Sequence, residues 1–351
     1  MDSGYSSEKS ASIISLDELL ETAPCNKTIG DNLIRAWSII NNPKYKKICC
    51  AISGGSDSDI VLDICTKVDI HHKITYVFFD TGLEYKATRE HIKRLEEKYG
   101  VEIKAYASWK YGMTIPSSCK KYGQPFVNKE ASEYMKRLQS HNFKWEDKPF
   151  EELYKEYPRC KSALKWWCNM KTPSHNINRN KWLKEFLIAN PPYFRISNEC
   201  CKKAKKDVSH KILKVGKYDL NIIGVRKAEG GIRASAYKNC YSNGEDDIDE
   251  YRPVFWYSND DKSSYEQHYG IEHSRCYTQY GLKRTGCVGC PCGRNLEQEL
   301  EATKIYEPKL YNAVCNVFKD SYEYTRQYRQ FCDEMNRKSK TYHQLTLSDF
   351  I

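Results

Sequence analysis

Ser53-Gly54-Gly55-Ser56-Asp57-Ser58 sets two glycines, three hydroxyls and a carboxylate within six residues. Glycines adopt backbone angles that turn successive N–H groups inward, and Ser53, Ser56 and Ser58 add hydroxyl donors, so the string can cradle a pyrophosphate. No Gly-Lys-Ser/Thr follows, which separates it from the lysine-bearing phosphate loops. A second group is sulfur. The chain has 16 cysteines, with an adjacent pair at Cys200-Cys201 and a CxxC pair at Cys287 and Cys290. In a reducing compartment, cysteines clustered this way more often hold metal than form disulfides.

The flanking elements must present these groups. Residues 47–52 are an apolar run of strand length, and residues 57–68 have a helical pattern, giving strand, glycine turn, helix. A second β-rich run, residues 74–79, ends in Asp80-Thr81-Gly82-Leu83-Glu84 before a helical stretch at 87–99. Two such units predict an open, doubly wound, mostly parallel α/β sheet, which binds ligands at the carboxyl ends of its strands.

Several strings then share one pattern. SGGSDS resembles the loop of the PP-loop ATP pyrophosphatases, which cleave ATP between its α and β phosphates. FFDTGLEYKATRE resembles the FxDTGxxxPET segment of the phosphoadenosine phosphosulfate (PAPS) reductase-like family within that group, with Lys86-Ala87 in place of the usual proline-containing pair. Gly224-Val225-Arg226, with Glu229 and Arg233, resembles its GxRxxES segment. Arg252 to Trp256 with Tyr265 and Tyr269-Gly270-Ile271, and then Gly286-Cys287-Val288-Gly289-Cys290-Pro291, follow in the family's order over about residues 45–300. The resemblance implies that Ser53, Gly54, Gly55, Ser56, Asp57, Ser58, Asp80, Thr81 and Gly82 lie at the nucleotide, and it leaves Glu84 without a role. Asp57 is expected to hold Mg2+ on the phosphates, and Arg226 and Arg233 to clamp anionic oxygens through their guanidinium forks.

The same resemblance implies a four-iron four-sulfur cluster on Cys200, Cys201, Cys287 and Cys290, as in adenylylsulfate reductases and DNA-phosphorothioation sulfurtransferases. Structural zinc on the four thiolates is the rival reading. Lys202, Lys203 and Lys206 would offset the cluster's charge. Cys292 could replace a ligand. Trp167-Cys168 with Lys171 and Pro173 resembles a second family signature, so Cys168 competes as partner of Cys287 and Cys290. Cys49, Cys50 and Cys65 sit where core thiols are expected, whereas Cys119 and Cys240 carry no motif.

Length suits one large α/β domain with additions. We expect a helical cap over residues 1–44, a catalytic domain over 45–300 with a basic, tryptophan-rich helical insertion at 105–215, and a helical region with a tail over 301–351. The formal net charge is +10, with seven tryptophans and 27 tyrosines, which fits a nucleic-acid partner or an anionic nucleotide. The acidic run 245–250 reads as a solvated loop. A polar N-terminus and the absence of a long apolar stretch predict a cytoplasmic protein without a membrane partner. The tail, Gln344 to Ile351, resembles the QLxLxxF peptides that dock on sliding clamps, with Leu347 and Phe350 as anchors; its bland alternative packs against the domain.

These readings converge on an enzyme that cleaves ATP to AMP and pyrophosphate and activates an acceptor for sulfur delivered by a donor protein. PAPS and adenylylsulfate reductases carry an altered loop and a C-terminal ECGxH cysteine, whereas this loop is intact and the last cysteine is Cys332. A thiol-dependent sulfonucleotide reductase and a non-catalytic nucleotide-binding subunit are the alternatives.

Overall fold

A computed structural model describes residues 15–230, 236–244 and 247–348, with side chains up to 339. Its sheet has six strands: β1 (Ile48–Ala51), β2 (Ile74–Asp80), β3 (Ile103–Ala107), β4 (Leu220–Ile223), β5 (Tyr241–Ser242) and β6 (Asp249–Tyr251). Their order is β3-β2-β1-β4-β6-β5. β1 pairs in parallel with β2 and β4, β4 pairs in parallel with β6, and β5 alone closes the edge antiparallel to β6. The expected doubly wound sheet is therefore present. β1, the short Ile-Cys-Cys-Ala run, is central because its side chains are apolar on both faces, and such strands need helices on both sides. The order reverses on either side of β1, which opens a crevice at its carboxyl end, where the SGGSDS loop follows.

The chain forms two compact units. One comprises Met1–Phe79, Lys86–Tyr106 and His210–Thr285; the other comprises Asp80–Tyr85, Ala107–Ser209 and Gly286–Ile351. In the first unit, Asn26 caps the helix Lys27–Ile40 by accepting from the Ile29 amide. Ile29, Leu33, Ala36 and Ile40, spaced three and four apart, bury into the core around Ile48, Ile60 and Ile222. Each of the isoleucine and leucine side chains contributes roughly 1.5–3 kcal/mol of burial. Ile34, next to Leu33, is exposed, because it lies one position off the face.

The acidic run also differs from expectation. Asp249 is not solvated but buried on β6, where it accepts from the Tyr45 and Tyr241 hydroxyls at 2.8 and 2.6 Å and pairs with Lys44 at 2.5 Å. Tyr241 from the paired strand β5 and the distant Lys44 and Tyr45 offset the desolvation of its charge.

In the second unit, Phe126, Met135, Trp145, Trp166, Trp167, Phe186 and Tyr324 form an aromatic core of mostly edge-on rings. Most of the tryptophans of the 105–215 segment are thus structural. A long helix, Lys319–Ser348, follows the helix Pro308–Val317. It carries the backbone of Gln344 to Ser348, so this part of the tail is helical rather than extended; its side chains and Asp349 to Ile351 lie outside the described residues. No helix among the described residues is long and apolar enough to cross a membrane.

Candidate active site and thiol cluster

The loop after β1 is closed from within by Ser58. Its hydroxyl donates to the Gly55 carbonyl at 2.9 Å and accepts from the Ser53 and Gly55 amides at 3.2 Å each. Its one hydrogen is therefore committed inside the loop, so Ser58 shapes the cradle instead of lining it. Gly54 takes φ +66, where an added Cβ would also approach Thr88 Cγ2 to 2.9 Å. Gly224, after β4, lies against the Ser58 backbone, and a Cβ there would stand 3.1 Å from its Cα and nitrogen. The GxR motif thus needs glycine because strand end and loop touch.

Asp57 opens the helix Ser56–Val68, and its carboxylate lies between two cations. Arg226 Nε donates to Oδ1 at 2.8 Å, and Lys262 Nζ stands 3.0 Å from the same oxygen. Arg226 Nη1 also donates to the Ser258 carbonyl at 3.2 Å and Asn259 Oδ1 at 3.1 Å. Arg226 therefore acts first as the buried post that orients Asp57, and only its remaining N–H face could meet a ligand. Arg233 lies outside the described residues.

Two participants were missed in the sequence. Lys262, from the helix Asn259–Tyr269, donates to Ser56 Oγ at 2.5 Å. The loop has no lysine of its own but receives one from a segment some 200 residues away. Tyr277 OH accepts from the Ser56 amide at 3.1 Å and the Thr285 amide at 3.2 Å. An N–H expected to meet phosphate thereby already has an acceptor. Lys262 was legible only as a lysine on a polar helix, a signal too common to single out.

Further along the helix Ser56–Val68, fully buried Asp59 accepts from His273 Nδ1 at 2.8 Å and stands 3.0 Å from His91 Nε2, while His273 Nε2 lies 2.8 Å from Glu266. Burial opposes charge on the His273 imidazole, but the Asp59 and Glu266 carboxylates outweigh it and raise its pKa to about 9. Because the folded value lies above the ordinary 6.5, the stabilisation is complete below about pH 6.5 and is lost as pH rises through 9. After discounting for solvent screening, the loss is about 1–2 kcal/mol. Denaturant titrations at pH 6 and pH 9.5 should reveal this decline in the native protein and a flatter profile in His273→Gln. Equal slopes would reject the assignment.

In the second unit, Asp80 Oδ1 accepts from the Gly82 amide at 2.9 Å, and Thr81 Oγ1 donates to Glu84 Oε1 at 2.6 Å. Glu84 is buried, and burial pushes its carboxyl up against the opposing pull of the Lys205 ammonium. The Leu83 carbonyl accepts from the Val288 amide at 3.0 Å, which ties this segment to the Cys287/Cys290 turn. Gly289 takes φ +61 there, and a Cβ would meet Tyr322 OH at 2.3 Å. Glu84 therefore belongs with the thiols.

Cys200 and Cys201 end the short helix Glu199–Cys201, which continues into a π-helical turn, Lys202–Lys206. Such turns widen a helix and recur at functional sites. Cys200 hydrogen-bonds with Cys119 and Cys201 and lies near Cys290; Cys287 neighbours both Cys201 and Cys290. Cys290 is brought down to about 7 by the hydrogen bond from Cys292, and burial lifts Cys287 to about 11. The four expected thiols thus gather, joined by Cys292 and by Cys119, which sequence left unassigned. Cys168 does not join them: its charged neighbours are Lys184, Asp147 and Glu151. No group of three or more His, Cys, Asp or Glu side chains among the described residues is arranged to hold a metal ion.

The thiols and the ammonium groups beside them have the donor and charge chemistry of a thiolate-bound metal group, although they are not set in a metal-holding arrangement. Lys205 is bonded to Cys287, and its ammonium is strengthened chiefly by that sulfur; Lys129 lies beside Cys201. Cations held on sulfur offset the negative charge that thiolates acquire on binding metal. Lys203, expected in this role, instead pairs with Asp207 at 2.9 Å, because the π turn directs Lys205 inward. The buried Cys49, Cys50 and Cys65 are core thiols, as expected.

Comparison with known proteins gives a match of residues 47–148 to the phosphoadenosine phosphosulfate reductase domain. An uncharacterized protein of Methanocaldococcus jannaschii is 38% identical over 82 residues, which are 22% of this chain and only 17% of that protein. Among solved structures, the PAPS reductase of Candida auris aligns with 78% of this chain and 93% of its own at 13% identity and a TM-score of 0.39. The U34-tRNA thiolase NcsA of Methanococcus maripaludis, solved with its 4Fe-4S cluster, aligns with 88% and 81% at 13% identity and 0.36. The matched segment contains both β1 with its SGGSDS loop and β2 with its DTG turn, so over residues 47–148 the chain is similar to the phosphoadenosine phosphosulfate reductase domain.

Proposed function

We propose that the protein binds ATP with magnesium on the SGGSDS loop and cleaves it to AMP and pyrophosphate to activate an acceptor for sulfur transfer. The observation that carries this reading is the intact loop with Asp57 fixed between Arg226 and Lys262. In the reaction, an acceptor oxygen attacks the α-phosphorus, the bond to the bridging oxygen of the β-phosphate breaks, and pyrophosphate leaves with that electron pair. A sulfur nucleophile from a donor then displaces AMP. The Ser56 amide and hydroxyl bind the departing phosphates, provided that Tyr277 yields the amide. Lys262 stabilises the charge that develops on them. Asp57 holds the magnesium, and Arg226 keeps that carboxylate in place. Arg233 is a further candidate anion ligand. Asp80, Thr81 and Gly82 are proposed nucleotide contacts.

Cys200, Cys201, Cys287 and Cys290 would hold a 4Fe-4S cluster, with zinc as the alternative. Such a group supplies a thiolate-bound centre that can bind or deliver sulfur. Lys129 and Lys205 balance its charge, and Glu84 holds Lys205 in place.

A second reading, reduction of a sulfonucleotide, is favoured by the description of the matched family. Anaerobic turnover with ATP, and separately with PAPS or adenylylsulfate plus a thiol reductant, separates the two. Pyrophosphate and AMP from ATP support the first, whereas sulfite from the sulfonucleotide without pyrophosphate release replaces it with the second.

A further inference from the structure

Trp109 departs from the aromatic pattern of its unit. Trp145, Trp166 and Trp167 are buried, and Trp182 donates its indole N–H to Asn336, but Trp109 is 72% exposed. It stands on the short helix Ser108–Tyr111. Ser108 anchors this helix by donating to the Ala204 carbonyl at 2.8 Å, and a Cβ on Gly112 would lie 3.3 Å from the Lys203 carbonyl. Trp109 is thus held outward beside the π turn Lys202–Lys206.

Cations lie on the Trp109 helix and on the elements packed near it. Lys110 follows Trp109; Lys202 and Lys206 project from the π turn; Lys120 and Lys121 end the helix Ile115–Tyr122, which packs along residues 199–206. Arg195 donates to the Lys121 carbonyl at 3.2 Å. All six side chains are exposed, and none forms an ion pair among the described residues. The neighbouring acids are already neutralised: Glu199 by Lys136 at 2.6 Å and Asp207 by Lys203 at 2.9 Å. A solvated helix face ordinarily mixes signs; these neighbouring elements leave six positive charges without an ion pair among the described residues, on the same unit as an exposed indole.

We propose that this face binds an unpaired polynucleotide strand, with Trp109 stacking on a base and the six cations contacting successive phosphates. Stacking requires an exposed base face, which a duplex buries, so single strands fit and duplexes do not. Cys119 lies on the same helix as Lys120 and Lys121, and Cys201 directly precedes Lys202, so the strand would run beside the thiol cluster. The inference rests on the proposed sulfur-transfer reading in one respect: it identifies the acceptor class. The binding itself requires neither ATP nor metal.

The test is fluorescence anisotropy of labelled oligothymidylate, oligouridylate and a DNA duplex with the full chain, over a salt series. Six phosphate contacts on a single strand set the slope of log affinity against log salt at about −4 or shallower. Lys120→Gln/Lys121→Gln should reduce that slope by roughly 1 to 1.5, and Trp109→Ala should weaken binding roughly tenfold with the slope unchanged. Lys304→Gln/Lys309→Gln, the same charge loss on exposed residues elsewhere, should have little effect. The proposal is overturned if single strands fail to bind at low salt, if the duplex binds as well, or if the control pair weakens binding as much as Lys120→Gln/Lys121→Gln. Pyrophosphate release from ATP could still be found in that case, so failure here leaves the proposed reaction standing.

Discussion

Asp57→Asn is expected to lower ATP-dependent pyrophosphate release by about a hundredfold or more, because it removes a charge from where phosphate and metal charges must be balanced. The substitution keeps the side chain's volume and leaves an acceptor oxygen for Arg226 Nε, now 2.8 Å from the carboxylate, so the fold should survive. A thermal melt close to that of the native protein checks this. The defect should concentrate in the magnesium dependence, since a neutral amide is a poorer ligand for a hard cation. Ser53→Ala provides an independent probe, because Ser53 Oγ reaches Ser58 Oγ at 3.3 Å at the loop's entrance without touching either cation. Native pyrophosphate release in Asp57→Asn, or strong preference for a sulfonucleotide over ATP, would refute the ATP reading.

The second large effect is expected at the thiols. After anaerobic preparation, Cys287→Ser or Cys290→Ser should lose most of the iron and sulfide and the visible absorption, because cluster ligands act as a unit. Cys168→Ser should retain them, since its neighbours are Lys184, Asp147 and Glu151 rather than the other thiols. This contrast tests the choice that sequence left open between Cys168 and the Cys200-Cys201 pair. A colourless native protein carrying stoichiometric zinc would replace the cluster with a structural metal.

The sequence by itself determined the features that depend on local chemistry. The order strand, SGGSDS, helix follows from an apolar run, two glycines and a capped amphipathic stretch, and β1 and β2 stand next to each other in parallel as that order requires. The CxxC turn was legible for the same reason: glycine at the positive φ of residue 289 and thiols at fixed spacing lie within a few residues.

Tertiary structure decided which distant charges meet. Lys262 reaches Ser56 and Asp57, Arg226 orients Asp57, and Lys205 rather than Lys203 turns toward the sulfurs. It also divided the tryptophans: packing buried Trp145, Trp166 and Trp167 and left Trp109 outside, although all four occupy similarly basic sequence. A pairing between residues some 200 positions apart has no local periodicity or propensity to record it. Such contacts form because buried charges must find partners wherever the fold brings them together, and only the folded chain fixes which partners those are.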